Sequence, residues 1–131
     1  MMSDQLEFQA ACVSVTEQDD TYIVGLADDE LEPEQYIILQ RAIFEDTQDD
    51  DLGLNTYFLE VCGPDSSGYG GIDSATLQED RLELALQRPH RYLDGLEKII
   101  VRFHLAKQQR DVLVKQLSLI FRDSGCVLTV V

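Results

Sequence analysis

The segment KQQRDVLVKQLSLIFRDS (residues 107–124) decides the fold class, because it is the one stretch of the chain with a clear helical period. Apolar residues recur there at the spacing of one helix face, at Leu113, Val114, Leu117, Ile120 and Phe121. The pattern predicts an amphipathic helix that packs one face on a sheet. Gly125 stands where a glycine that ends such a helix is expected.

Upstream of this helix, the chain consists of short strand-like runs separated by turns. Arg81–Leu86 alternates apolar and polar residues, which indicates a strand with one face in the core. Tyr36–Ala42 begins apolar on both faces and is therefore predicted to be a central strand. Further strands are predicted at 7–17 (with a register change), 21–26, 57–62, 72–77, 99–105 and 127–131, and a tight turn at 68–71 that presents Tyr69.

Strands first and one helix late predict an α+β fold, mainly an antiparallel β-sheet with one C-terminal amphipathic helix packed on it. At 131 residues the chain is expected to form a single domain, residues 1–131. The sequence contains no repeat and no linker that would divide it.

Charge is distributed very unevenly along the chain. Residues 1–80 hold 20 of the 25 acidic residues but only one of the ten basic residues, Arg41. Residues 81–131 have an excess of basic residues. A field of one sign attracts partners of the opposite sign, so nucleic acids and anionic membranes are not expected as partners. The partner of the acidic part is predicted to be a basic protein.

The cellular setting predicted from the sequence is the cytoplasm. No apolar stretch approaches the about 20 residues of a membrane span, and the N-terminus lacks the features of a secretory signal. The three cysteines, Cys12, Cys62 and Cys126, are widely spaced among apolar residues, which is typical of free thiols in a reducing compartment.

Catalytic and metal-binding motifs are not found in the sequence. The two histidines, His90 and His104, have no ligand partner at the spacing of a zinc site, and no nucleophile motif is present. The glycine-rich stretch at 68–71 has no lysine and no helix behind it, so it is not expected to bind phosphate. The chain is therefore predicted to have no catalytic residue, no cofactor and no metal.

A calcium site in the acidic run Asp49–Asp51 is an alternative to consider. An EF-hand loop places oxygen ligands at alternate positions ahead of its glycine, and counting back from Gly53 puts an apolar residue, Leu52, at one of them. A small-ligand or Ca²⁺-binding β domain that uses the same carboxylates stays open as an alternative function, as does a cytosolic interaction adaptor. An enzyme would need a pocket that holds His90 or His104 beside a carboxylate.

The partner-binding surface is predicted from charge and from the position of aromatic residues. Tyrosine side chains often anchor interfaces inside a rim of charge, and two tyrosines lie beside acidic or glycine-rich loops. The candidate contact residues are Asp28, Asp29, Asp49, Asp50, Asp51, Tyr57, Glu60 and Tyr69.

Three segments carry a resemblance to a known family. They are Val24–Asp29 with Tyr36–Arg41, then Leu52–Glu60, then Ser67–Ile72. With them, the chain from about Thr21 onward resembles the tenth immunity-protein family of bacterial polymorphic toxin systems. Asn55 departs from the family pattern, which has an acid there, and the 89–95 loop has no counterpart.

The resemblance implies a cytoplasmic protein that binds and neutralises a cognate toxin and has no catalytic residues of its own. It does not identify contact residues or an oligomeric state. Many such toxins are basic nucleases, which agrees with the acidic first part of the chain.

Overall fold

The computed structural model describes residues 4–44, 56–87, 93 and 95–131 of the chain. Ten strands and one helix follow one another there, in an α+β fold as predicted. Their bounds are β1 Gln5–Gln9, β2 Cys12–Gln18, β3 Thr21–Ala27, β4 Tyr36–Ala42, β5 Phe58–Val61, β6 Ser67–Tyr69, β7 Ile72–Leu77, β8 Arg81–Leu86, β9 Lys98–Arg102, α1 Lys107–Ile120 and β10 Val127–Val130.

The strands form two five-stranded sheets. One, the meander sheet, has the order β2-β3-β4-β5-β6 and is antiparallel throughout. The other, the mixed sheet, has the order β1-β9-β8-β7-β10, and its two edge strands pair in parallel with their neighbours. The predicted central position of Tyr36–Ala42 is confirmed, since β4 is the middle strand of the meander sheet.

The predicted strand at 7–17 is divided between the two sheets. The amide of Ala10 donates to the carbonyl of Arg102 in the mixed sheet, and the amide of Ala11 donates to the carbonyl of Ala27 in the meander sheet. The chain therefore changes sheets between Ala10 and Ala11. The register change in the sequence pattern marks this crossing, because the alternation of inward and outward side chains is set by a different sheet in each half of the run.

One apolar core joins the two sheets and the helix. Val24, Leu26, Ile37 and Leu39 of the meander sheet are fully buried, as are their counterparts in the mixed sheet and three residues of α1. The core residues from the mixed sheet and α1 include Leu77, Leu82, Leu84, Ile99, Val101, Leu113, Leu117 and Ile120.

Helix α1 packs on the inner face of the meander sheet, against β3 and β4, and also contacts β10. It ends at Ile120, four residues earlier than the sequence pattern suggested. The amide of Phe121 still bonds to the carbonyl of Leu117, but Asp123 has a positive φ of 49°, which ends the helical path. Gly125 also has a positive φ, 82°, and starts the return to β10.

Arg41 ties the meander sheet to the C-terminal end of this helix. Its side chain is buried, and Nη1 donates to the carbonyl oxygens of Ile120 at 3.1 Å and of Arg122 at 2.5 Å. These carbonyls belong to the negative end of the helix dipole, where a cation is favourable. The only basic residue among the first 80 is therefore used inside the fold, and it adds no charge to the surface.

The predicted tight turn at 68–71 is shorter than expected. Gly68 and Tyr69 belong to β6, and the turn to β7 is made by Gly70 and Gly71, both with positive φ.

Among the described residues, no helix combines the length and the apolar character needed to cross a bilayer.

Candidate functional site

The outer face of the mixed sheet is polar, and it carries two cross-residue ion pairs. Arg102 Nε lies 2.7 Å from Glu7 Oε2, and Arg81 Nε lies 3.3 Å from Glu83 Oε1. The hydrogen bond from Arg102 lowers the pKa of Glu7. This is the usual composition of a solvated sheet face, and it does not indicate a binding surface.

The outer face of the meander sheet has the opposite character. Residues that alternate with the buried ones point outward along each strand. We call this set the meander face: Cys12, Ser14, Thr16, Ile23, Gly25, Ala27, Tyr36, Ile38, Gln40, Phe58, Glu60, Ser67 and Tyr69. It contains five large apolar or aromatic residues, one carboxylate and no lysine or arginine among these positions. Such an apolar sheet face, with no described element covering it, is the strongest candidate for a docking surface.

A groove crosses the meander face at Gly25. In the strand register Gly25 lies between Ser14 of β2 and Ile38 of β4, and it contributes no side chain to that row. The groove has a volume of about 440 Å³. The side chains of Ile23, Ile38 and Tyr36 line it, together with Pro33 from the loop that follows β3.

That loop, residues 28–34, holds five acidic residues, and we call it the acidic loop. The Asp28 carboxylate accepts hydrogen bonds from the amides of Glu34 at 3.0 Å and Gln35 at 3.1 Å. The Asp29 carboxylate accepts one from the amide of Glu32 at 2.8 Å. Because charged acceptors make strong bonds to backbone amides, Asp28 and Asp29 hold the loop in one conformation.

The ordered loop presents an apolar residue among carboxylates. Leu31 is 87% exposed and stands between Glu30 and Glu32, with Glu34 exposed nearby in the chain. An exposed leucine on a fixed loop has no role in the core, and Leu31 adds apolar surface among the carboxylates of the loop.

Glu60 is the carboxylate of the meander face itself. The Tyr36 hydroxyl donates to Glu60 Oε2 at 2.5 Å, a bond between β4 and β5. This hydrogen bond, with a smaller effect of burial, raises the pKa of Tyr36 to about 12. The bond fixes the tyrosine ring at the wall of the groove and keeps a negative charge beside it.

The two predicted tyrosine anchors occupy different environments. Tyr69 is 43% exposed on the meander face, with its ring 5.1 Å from that of Phe58 in an edge-to-face pair. Tyr57 is only 1% exposed, and its hydroxyl accepts from the amide of Ile72 at 2.7 Å. Burial raises the pKa of Tyr57 to about 12. Tyr57 offers no surface to a partner, so it is removed from the candidate contact residues. Its ring packs edge-on against Phe121 in the core.

The remaining predicted residues divide between the site and the part of the chain that is not described. Asp28, Asp29 and Glu60 lie at or beside the groove, as above. Asp49, Asp50 and Asp51 lie outside the described residues, as does His90. His104 follows β9 and is exposed. Within the described ranges, no group of three His, Cys, Asp or Glu side chains could hold a metal ion.

The groove and the exposed Leu31 were not predicted from the sequence. The groove residues in question are Ile23, Gly25, Tyr36 and Ile38. A signal was present, since Tyr36–Leu39 is apolar on both faces. By itself this pattern indicates only a central strand. The same pattern also gives an apolar outer face wherever no layer covers the sheet. This second consequence can be recognised only when it is known on which sheet face the helix packs.

The match to known proteins covers the part of the chain that builds this site. The family model described as Immunity protein 10 matches residues 8–112, from the end of β1 into α1. No curated protein matches the chain. The matched range includes the whole meander sheet and the acidic loop and extends over most of the 131 residues. The resemblance seen in the sequence is thus confirmed, and the chain belongs to the Immunity protein 10 family.

Proposed function

We propose that this chain binds a cationic toxin in a one-to-one complex and blocks it without any chemistry of its own. Membership of an immunity-protein family supports a toxin as the partner. The observation that supports the cationic character of that toxin is the single sign of charge among the described residues of the meander face and the acidic loop. Charges of one sign on a surface steer a partner of the opposite sign into an encounter.

The mechanism that fits this surface is steric and electrostatic inhibition. A toxin that cleaves nucleic acid needs a positive cleft for its substrate, and an acidic surface that docks there excludes the phosphates. A basic nuclease is therefore the toxin class that the charge supports best. The site of action would be the cytoplasm, and the chain would act as one domain, which its shared core supports.

The acidic loop gives a clean way to test the steering. Glu30, Glu32 and Glu34 are exposed and their carboxylates make none of the hydrogen bonds that hold the loop, so Glu→Gln changes there remove charge and keep the structure. Association of this triple variant with the toxin domain encoded beside the chain's gene should slow by roughly tenfold at low ionic strength. The difference from wild type should shrink as salt is added, because the Debye length falls.

The matched control removes three exposed charges away from the loop, in Asp73→Asn, Glu79→Gln and Asp111→Asn. Its association rate should stay closer to that of the wild type. Equal rates for the loop variant, the control and the wild type would contradict the proposed steering. If the wild type does not bind the toxin domain, or does not protect cells that the toxin attacks, the proposed function itself is contradicted.

A further inference from the structure

The groove at Gly25 is an open apolar site inside an acidic surround. Its walls are the side chains of Ile23, Ile38 and Tyr36, and the acidic loop closes one end with Pro33. Glu60 lies beside it, held by the bond from Tyr36. A cationic group alone gains nothing from the apolar walls, and an apolar group alone gains nothing from the carboxylates. The apolar walls and the surrounding carboxylates together fit a ligand that has an apolar side chain flanked by positive charges.

Gly25 is the residue that keeps the groove open. A Cβ built on Gly25 would come within 3.0 Å of the Ser14 hydroxyl, which shows how narrow this row of the sheet is. Glycine weakens a strand, since it adds no side chain to pack and loses more entropy on folding. Its φ is not in the left-handed region here, so backbone geometry does not require glycine. The position is explained by the space that it leaves.

We propose that this groove receives an apolar side chain from a segment of the toxin that is flanked by lysine or arginine. The inference rests on the proposed function and names the contact that would anchor the complex. The acidic loop then governs how fast the partners meet, and the groove governs how long they stay together. Removing an anchor that fills a pocket mainly raises the dissociation rate, whereas removing a rim charge mainly lowers the association rate.

A second copy of this chain is a poorer occupant than a basic toxin. A symmetric contact through the meander face would bring Glu60 and the acidic loop of one copy toward the same groups of the other. Like charges brought together at an interface oppose association. Charge complementarity therefore selects the basic partner.

The test fills the groove without disturbing the core. Gly25→Val places a β-branched side chain on the outer face of a central strand, where such residues are favoured, and the exposed Ser14 hydroxyl is free to turn away. We expect the dissociation constant for the toxin domain to rise by roughly 10- to 100-fold, because the apolar anchor loses its site. The rise should appear in the dissociation rate, with the association rate changed by less than about threefold.

Ser74→Val is the matched control, since it adds the same side chain to the outer face of the mixed sheet. Its affinity should equal that of the wild type. Ile38→Gln is a second variant, which replaces an apolar wall of the groove by a polar one and should weaken binding in the same sense. Thermal melts of all three variants, followed by circular dichroism, check that each is folded.

The outcomes separate the inference from the function on which it rests. If the wild type binds and neutralises the toxin but folded Gly25→Val and Ile38→Gln bind it equally well, the groove is not the anchor site and the proposed function stands. If the wild type does not bind the toxin, both fail. If light scattering shows a wild-type dimer that Gly25→Val dissociates, with toxin binding unchanged, the groove is a contact between copies and the inference is overturned.

Discussion

Replacing Arg41 should destabilise the protein strongly, although Arg41 is not one of the groove residues. Arg41→Met keeps an unbranched apolar stem but removes the two donated bonds to the carbonyls of Ile120 and Arg122. Hydrogen bonds that involve a charged group contribute roughly 1.5 kcal/mol or more each. The free energy of unfolding should therefore fall by about 3 kcal/mol, since the carbonyls at the end of α1 are left without this donor.

The corresponding change in melting temperature follows from chain length. Unfolding entropy is roughly 2.1 cal/mol/K per residue, so for 131 residues a loss of about 3 kcal/mol lowers the Tm by roughly 10 °C. Differential scanning calorimetry measures both quantities. Arg102→Met is the matched control, because Arg102 is 41% exposed and its ion pair with Glu7 is screened by solvent. Its Tm should stay near that of the wild type. If Arg41→Met also melts within about 2 °C of the wild type, the assigned role of Arg41 at the helix end is refuted.

Two further predictions concern the loop and the thiols. Asp28→Ala removes both carboxylate acceptors of the acidic loop, so the amides of Glu34 and Gln35 should exchange with deuterium roughly tenfold faster while the core amides keep their protection; unchanged exchange would show that Asp28 does not order the loop. Burial raises the pKa of the Cys126 thiol to about 12, whereas Cys62 is exposed, so iodoacetamide at about pH 8 should alkylate Cys62 and leave Cys126 unmodified until denaturant is added. Early labelling of Cys126, read by peptide mass, would contradict its buried position.

Prediction of the elements from the sequence succeeded where a pattern was local. The alternation in Arg81–Leu86 reports which residues face a core, and each of Leu82, Leu84 and Leu86 is buried in β8. The stripe in α1 likewise marks the buried Leu113, Leu117 and Ile120. The period of apolar residues is fixed by backbone geometry and is therefore visible without the fold.

The assembly of those elements was not predictable to the same degree. One sheet was expected, and two are present, because pairing joins strands that are distant in sequence. Strand β1 pairs with β9 and β10 with β7, both in parallel. Parallel pairing requires a long connection, so no turn motif beside either strand announces it.

The candidate site shows the same division. The chain's own residues determined the acidic character of the first 80 positions and the family. They did not determine that Tyr57 is a core residue, or that the carboxylates of Asp28 and Asp29 accept the hydrogen bonds that hold the acidic loop.

Sequence alone thus determined the α+β class and the acidic character of the first 80 residues, since composition and period are properties of neighbouring residues. Only the tertiary structure decided which face of the meander sheet has no covering element among the described residues. Both faces of β4 are apolar, and α1 covers just one of them. The groove at Gly25 exists because the pairing register of three successive strands places Ser14, Gly25 and Ile38 in one row.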